Sequence, residues 1–172
     1  MLRHYANYRW IDGKPVGITP VSKEHSLSFR IVTDPYHKRY TLEKYDHGIF
    51  HQLVYDSILL DFRKIHPQYQ SGWQREVLTD HHEFQKCLIR DIEDRIILCE
   101  ELSFEDGHCR ICKLSSPHGI PLASQKIYYQ EKGDPWNGVV LLDILEKPVM
   151  HKKYSLGGDK EFHEVLEECW KI

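Results

Sequence analysis

The chain alternates between short polar turn signals and runs rich in apolar and aromatic residues. Asp-Gly and similar pairs tolerate the positive φ of tight hairpin turns, so each signal predicts two adjacent antiparallel strands. The pattern as a whole therefore predicts an antiparallel meander in which consecutive strands are neighbours. The strongest turn signals lie at residues 11–14, 45–48, 92–95, 104–108 and 145–148.

Period-two alternation of apolar and polar residues places most of the strands. A first hairpin spans residues 5–18, and a further strand begins at Leu27. Residues 79–90 fit a strand or a helix equally, because Asp80 and Glu83 have the spacing of a helix capping box. The remaining predicted strands cover residues 38–45, 49–55, 58–65, 74–78, 126–130, 139–144 and 149–154, with a loop at 115–123.

The hairpin around the Asp106-Gly107 turn is regular enough to predict its register. A two-residue loop here makes each strand residue face a defined partner, and same-face pairing then separates an apolar side from a mixed side. The predicted pairs are Glu105 with His108, Phe104 with Cys109, Leu102 with Ile111 and Glu100 with Lys113. The predicted apolar side carries Leu98, Leu102, Phe104, Cys109 and Ile111, and Cys112 lies on the other side.

A different period appears at the end of the chain. Gly157 and Gly158 end the sheet, and Asp159 can cap a helix over about 159–171. A long meander leaves two unpaired edges, so we predict a mainly β domain, residues 1–172, whose sheet (about 5–155) curls into a barrel or half-barrel. The C-terminal amphipathic helix packs against it through Phe162, Val165, Leu166, Cys169 and Trp170.

Composition excludes several classes of protein. The chain has 41% hydrophobic and 28% charged residues, a net charge of −3 and a pI near 6.4, with no basic patch of the kind that binds nucleic acid. No run is long and apolar enough for a membrane span, and the N-terminus lacks a signal-peptide pattern. Five cysteines, an odd number, favour reduced thiols, so we expect a soluble cytoplasmic protein.

Two motifs suggest metal or redox chemistry, and neither is complete. Cys109 and Cys112 form a Cys-x-x-Cys, but within a regular strand residues three apart point to opposite faces and cannot share one metal. His81 and Glu83 match half of an iron site whose distal histidine would be His118 or His151. No arginine follows either histidine to bind the carboxylate of a keto-acid cosubstrate, because every arginine lies at or before Arg110. The sequence therefore predicts no metal and no cofactor.

Aromatic density is the remaining unusual feature, with ten Tyr, six Phe and four Trp. Inward-facing rings of a curved sheet can line a cavity in which hydroxyl and imidazole groups orient a ligand, although β propensity alone also explains the enrichment. Our main hypothesis is a non-catalytic protein that binds a small, partly apolar ligand. Its expected binding residues are Tyr5, Trp10, Tyr40, Tyr45, Tyr55 and His118.

Two other classes of function stay open. The first is a protein-interaction or adaptor module that uses a sheet face or edge, with another protein or a second copy of the chain as its partner. The second is an enzyme that uses histidine and carboxylate acid-base chemistry, for which the first residues to test are His81, His82, Glu83 and His118.

Overall fold

The computed structural model describes residues 3–62, 72–129, 136–156 and 162–167, of which the side chains are described at 3–62, 72–129 and 138–152. Strands and their short connections make up these ranges, and the prediction of a mainly β protein is confirmed. The strands are β1 His4–Ile11, β2 Lys14–Val21, β3 Leu27–Asp34, β4 Arg39–Asp46, β5 Ile49–Asp56, β6 Gln74–His81, β7 Phe84–Arg90, β8 Ile96–Glu105, β9 His108–Ser115, β10 Pro121–Tyr129, β11 Trp136–Leu142, β12 Pro148–Leu156 and β13 Phe162–Glu167.

The strands form two open antiparallel sheets. The small sheet has the order β2-β1-β3-β4-β5, and the large sheet runs without interruption from β6 to β13. No pairing joins the edges within the described residues, so the prediction of one layer curled into a barrel or half-barrel is wrong. The physical reason is that the chain leaves the first sheet after β5, and two layers can bury one core between them as well as one curled layer can.

Hairpin turns match the sequence signals. Asp12-Gly13, His47-Gly48 and Asp106-Gly107 each connect adjacent strands as two-residue loops. Both residues of each pair have positive φ, as at Asp106 with φ 51 and Gly107 with φ 78. The mirror-image turns that match strand twist need this backbone, which explains why these dipeptides were informative.

The predicted strand at 58–65 is wrong over its described part. Residues 57–62 form a turn and a coil, which begins where the Asp56 carboxylate accepts a hydrogen bond from the Ile58 amide at 2.9 Å. The apolar residues here fill the core instead: the Phe62 ring stacks on Tyr55 at 4.9 Å and meets Trp10 edge-on at 5.4 Å. Residues 63–65 lie outside the described part of the chain.

The predicted C-terminal helix finds no support. The described residues contain no helix, and Phe162–Glu167 forms strand β13, with Val165 opposite Lys153 of β12. Helix periodicity is a weak signal beside an open sheet edge, because a strand added to that edge pairs with the β12 backbone from His151 to Leu156. The rest of the predicted helix, residues 159–161 and 168–171, lies outside the described residues.

The β8–β9 hairpin has the predicted register only at its tip. Phe104 lies opposite Cys109, but Ser103 lies opposite Ile111, so Arg110 is an extra residue in β9 and forms a β-bulge. Beyond the bulge every pairing moves by one residue. Leu102 therefore lies opposite Cys112, Glu101 opposite Lys113, and Glu100 opposite Leu114.

The two sheets share one hydrophobic core. Its fully buried members include Tyr8 and Trp10 from the small sheet and Ile89, Val139 and Leu141 from the large sheet. Strands β1 and β12 approach each other where the sheets meet. Among the described residues there is no helix, and therefore none with the length and apolar character that a membrane crossing requires.

Candidate functional site

Three loops at one end of the large sheet have the same construction. They connect β7 to β8, β9 to β10 and β11 to β12, and alternate hairpins of a meander turn at the same end of the sheet. In each loop the amide of the fourth residue donates to the carbonyl of the first, at 2.9 to 3.0 Å, and the fourth residue has positive φ. We call Asp91–Arg95 the first loop, Ser116–Ile120 the second loop and Asp143–Lys147 the third loop.

The first side chain of each loop stabilises it further. Asp91, Ser116 and Asp143 each accept hydrogen bonds from the amides of the third and fifth loop residues, at distances between 2.9 and 3.3 Å. Asp and Ser are the residue types that bond to their own backbone two residues ahead. The three loops are therefore held in defined positions by their own sequence.

A groove of about 410 Å³ lies between the second and third loops and the adjoining strands of the large sheet. This volume is within the range of small-molecule sites, about 300 to 1,000 Å³. Apolar and polar groups are mixed along its walls. The lining residues are Lys86, Glu101, Lys113, Leu114, Ser115, Gly119, Pro121, Ala123, Ser124, Asp143, Ile144 and Glu146.

Four of the lining residues form a straight row across four strands. Lys86 of β7 lies opposite Glu101, which lies opposite Lys113, which lies opposite Ser124 of β10. We call these four residues the polar row. Residues directly opposite share a face of the sheet, so the bulge at Arg110 creates this row by moving Lys113 from Glu100 to Glu101.

The charges of the polar row are unequally paired. Lys86 Nζ lies 3.3 Å from a Glu101 carboxylate oxygen, and both side chains are 44% exposed. Lys113 has no ion pair within the part of the chain whose side chains are described. The hydroxyls of Ser115 and Ser124 flank it and also have no hydrogen-bond partner in that part. The polar row and Ser115 thus present one unpaired ammonium group and two hydroxyls to the groove, and Glu146 of the third loop adds a carboxylate to the lining.

Asp143, in the third loop, connects the groove wall to the small sheet. It is 1% exposed, and its carboxylate accepts hydrogen bonds from the Tyr8 hydroxyl at 2.5 Å and the Trp10 indole N–H at 2.8 Å. Burial and the neighbouring carboxylate raise the pKa of Tyr8 well above its usual value. With two backbone amides also bound, the Asp143 carboxylate has no lone pair directed at the groove.

Lys147 completes the contact between the sheets. Its Nζ lies 3.8 Å from the centre of the Tyr8 ring and donates to the Tyr8 carbonyl oxygen at 3.0 Å. Burial lowers the pKa of this ammonium group. The third loop is therefore anchored by one buried anion and one cation placed over an aromatic face.

The aromatic residues predicted to bind a ligand lie away from the groove. Trp10, Tyr45 and Tyr55 are core residues, and Trp10 meets Tyr55 edge-on at 4.9 Å. Tyr5 lies against the backbone of Gly17, and Tyr40 packs against the core. His118 belongs to the second loop, beside the lining residue Gly119.

Sequence reasoning missed the polar row. Regular alternation predicted that Lys113 lies opposite Glu100. The bulge instead places Lys113 opposite Glu101, in one row with Lys86 and Ser124. The sequence did contain a signal for the third loop. Asp143 begins a turn of the same length as the turn that begins at Asp91, and an Asp at the first position of such a turn bonds to the backbone ahead of it.

The paired thiols occupy an unexpected position. The bulge places Cys109 and Cys112 opposite Phe104 and Leu102, so both thiols are on the core face and the argument from simple alternation is wrong. Burial raises the pKa of Cys109 to about 11 and also raises that of Cys112 well above its usual value. Raised pKa values disfavour the thiolate that metal binding and redox attack require. The described residues contain no group of three or more His, Cys, Asp or Glu placed to hold a metal.

The residues proposed for acid-base catalysis lie at two opposite ends of the large sheet. His82 and Glu83 form the β6–β7 turn, next to His81, at the end of the sheet opposite the second loop. His118 lies in that second loop. The arrangement therefore separates His118 from the other three residues of this set.

Comparison of the chain with protein-family models, with curated proteins and with solved structures finds no match.

Proposed function

We propose that the protein is a non-catalytic binding protein that holds a small, partly apolar ligand in the groove between the second and third loops. The observation that carries this proposal is the groove itself, about 410 Å³ in volume, with hydrogen-bonded loops on two sides and the polar row beneath. Walls that are already held in position lower the entropic cost of binding. The proposal includes a reducing compartment such as the cytoplasm, which an odd number of cysteines favours.

The chemistry of the lining favours binding over catalysis. Asp143 is saturated with hydrogen bonds, and Glu101 is paired with Lys86, so neither carboxylate is positioned as a general base. The third lining carboxylate, Glu146, is exposed to solvent, where its charge is screened by water. A candidate base must reach the proton that it removes within about 3.2 Å. Pro121 and Ile144 offer apolar contacts to a ligand, and the polar row offers hydrogen bonds that fix the orientation of the ligand in the groove.

The experiment is a titration of the protein with octanoate, octan-1-ol and octylamine, followed by amide chemical shifts. We expect at least one probe to shift Gly119, Ser124 and Ile144 in a saturable way. Ser124→Trp fills the groove and should abolish these shifts. Ser103→Trp is the matched control, because Ser103 is exposed on the same face of β8 and does not line the groove.

Failure of all three probes to saturate those residues would contradict the proposal. Equal loss of binding in Ser124→Trp and Ser103→Trp would do the same, because the effect would then come from the sheet as a whole. Native mass spectrometry of freshly purified protein adds an independent measurement: a small molecule retained by the unchanged chain and absent from Ser124→Trp supports the groove.

An interaction module is the second candidate, supported by apolar side chains at the edge strand β5. Ile49 is 72% exposed and Phe50 is 53% exposed. Three of the four sheet edges nevertheless carry features that oppose strand addition: prolines in β2, two register shifts in β5 and one in β6. Sedimentation of the chain as a dimer that Phe50→Glu dissociates would favour this candidate.

A further inference from the structure

We infer that the ligand of the groove carries a single carboxylate, which Lys113 binds. This inference rests on the proposed function and specifies its ligand class. The two lysines of the polar row differ in their ion pairs. Lys86 is paired with Glu101 at 3.3 Å, whereas Lys113 has no carboxylate partner in the described part of the chain.

The groups around Lys113 suit a carboxylate. Ser124 lies directly opposite it on β10, and Ser115 is two residues ahead on β9 and therefore on the same face. One ammonium group and two hydroxyls can donate to both oxygens of a carboxylate. Hydrogen bonds to a charged group are also stronger than those between neutral groups.

The other charges of the groove argue for one negative charge rather than several. Asp143 and Glu146 also contribute carboxylates to the lining, so Lys113 can offset one negative charge of a ligand, whereas each further charge of a phosphate or a dicarboxylate would be repelled. At the same time Pro121 and Ile144 provide apolar surface for a hydrocarbon body. A monocarboxylate with an apolar tail satisfies both conditions.

The test compares octanoate with octan-1-ol, which has the same chain and no charge, and with inorganic phosphate. We expect octanoate to bind about tenfold or more tightly than octan-1-ol, as one charged hydrogen-bonded contact predicts. Lys113→Met should remove that difference while octan-1-ol binding stays unchanged. Lys126→Met is the matched control, because Lys126 is exposed on the same face of β10 outside the groove.

Four outcomes are informative. Equal affinity for octanoate and octan-1-ol, with Lys113→Met silent, would overturn the carboxylate and leave the binding groove intact. Tighter binding of phosphate than of octanoate would overturn it in favour of a polyanion. Absence of saturable binding by all probes would overturn the proposed function together with this inference. Selective loss of octanoate binding in Lys113→Met alone supports it.

Discussion

In the small sheet, Tyr8 and Trp10 direct their polar atoms at one buried carboxylate, whereas in the large sheet Lys86 and Lys113 lie on an open face beside a groove. Both regions place a charged group next to apolar surface, which comes from aromatic rings in the small sheet and from the hydrocarbon part of lysine side chains in the large sheet. Burial separates them: Trp10 is 0% exposed, and the Lys86 side chain is 44% exposed. Aromatic density thus marks the core here, and the exposed charged row lies on the open face where we propose that a ligand binds.

Trp10→Ala tests the core side of this comparison most severely. Removing a fully buried indole leaves a cavity and takes one hydrogen-bond donor from Asp143. We expect a loss of about 3 to 5 kcal/mol in the free energy of unfolding, measured by urea denaturation. A loss below about 1 kcal/mol would show that Trp10 is not part of a packed core.

Tyr8→Phe sharpens the comparison by deleting only one hydroxyl. The Asp143 carboxylate loses the donor at 2.5 Å, and we expect a cost of about 1.5 to 3 kcal/mol in unfolding free energy. Tyr128→Phe is the control, because Tyr128 is 48% exposed. Equal effects of the two substitutions would mean that the Asp143 contact contributes no stability.

Alkaline pH provides a smaller perturbation on the core face of the large sheet. The folded state holds the Cys109 proton more tightly than the unfolded state, so its contribution is complete below pH 9 and decreases as pH rises towards about 11. We expect unfolding free energy to fall by about 1 to 2 kcal/mol across this window. Cys109→Ala should reduce the slope without abolishing it, because the Cys112 thiol also has a raised pKa in the folded state. An unchanged slope would exclude Cys109 as a cause.

Lys86→Met should have the smallest effect. The Lys86 to Glu101 pair is solvent-exposed, and such pairs contribute about 0 to 1 kcal/mol. We expect the free energy of unfolding to change by less than about 0.5 kcal/mol in urea denaturation. A loss as large as that of Tyr8→Phe would mean that the polar row is a structural element of the sheet.

Local signals predicted the hairpins because local chemistry decides them. Asp12-Gly13 and Asp106-Gly107 need positive φ whatever surrounds them, and both turns are where the pattern placed them. Residues 79–90, which the pattern left open, became the end of β6 and all of β7 because neighbouring strands pair with them. The prediction of a C-terminal helix was wrong for residues 162–167 because the spacing of apolar residues does not show that β12 is available as a pairing partner.

The candidate site was harder to predict than the fold. Lys113 reaches the polar row only through the extra residue at Arg110, and a bulge has no reliable signature in a strand of alternating residues. The aromatic residues chosen as binding groups were assigned to a cavity, whereas Trp10 and Tyr55 fill the core. Side-chain type alone does not distinguish a ring that packs from a ring that binds.

By itself the sequence determined where the backbone reverses, because turn residues act through their own φ and ψ and through hydrogen bonds over two to four positions. It also determined that the reversing segments pair as antiparallel strands. Only the tertiary structure decided that they divide into two sheets, which residue of β9 bulges, and which polar groups are buried at Asp143 or exposed in the groove. Those outcomes depend on the free energy of packing between distant segments, which no local pattern contains.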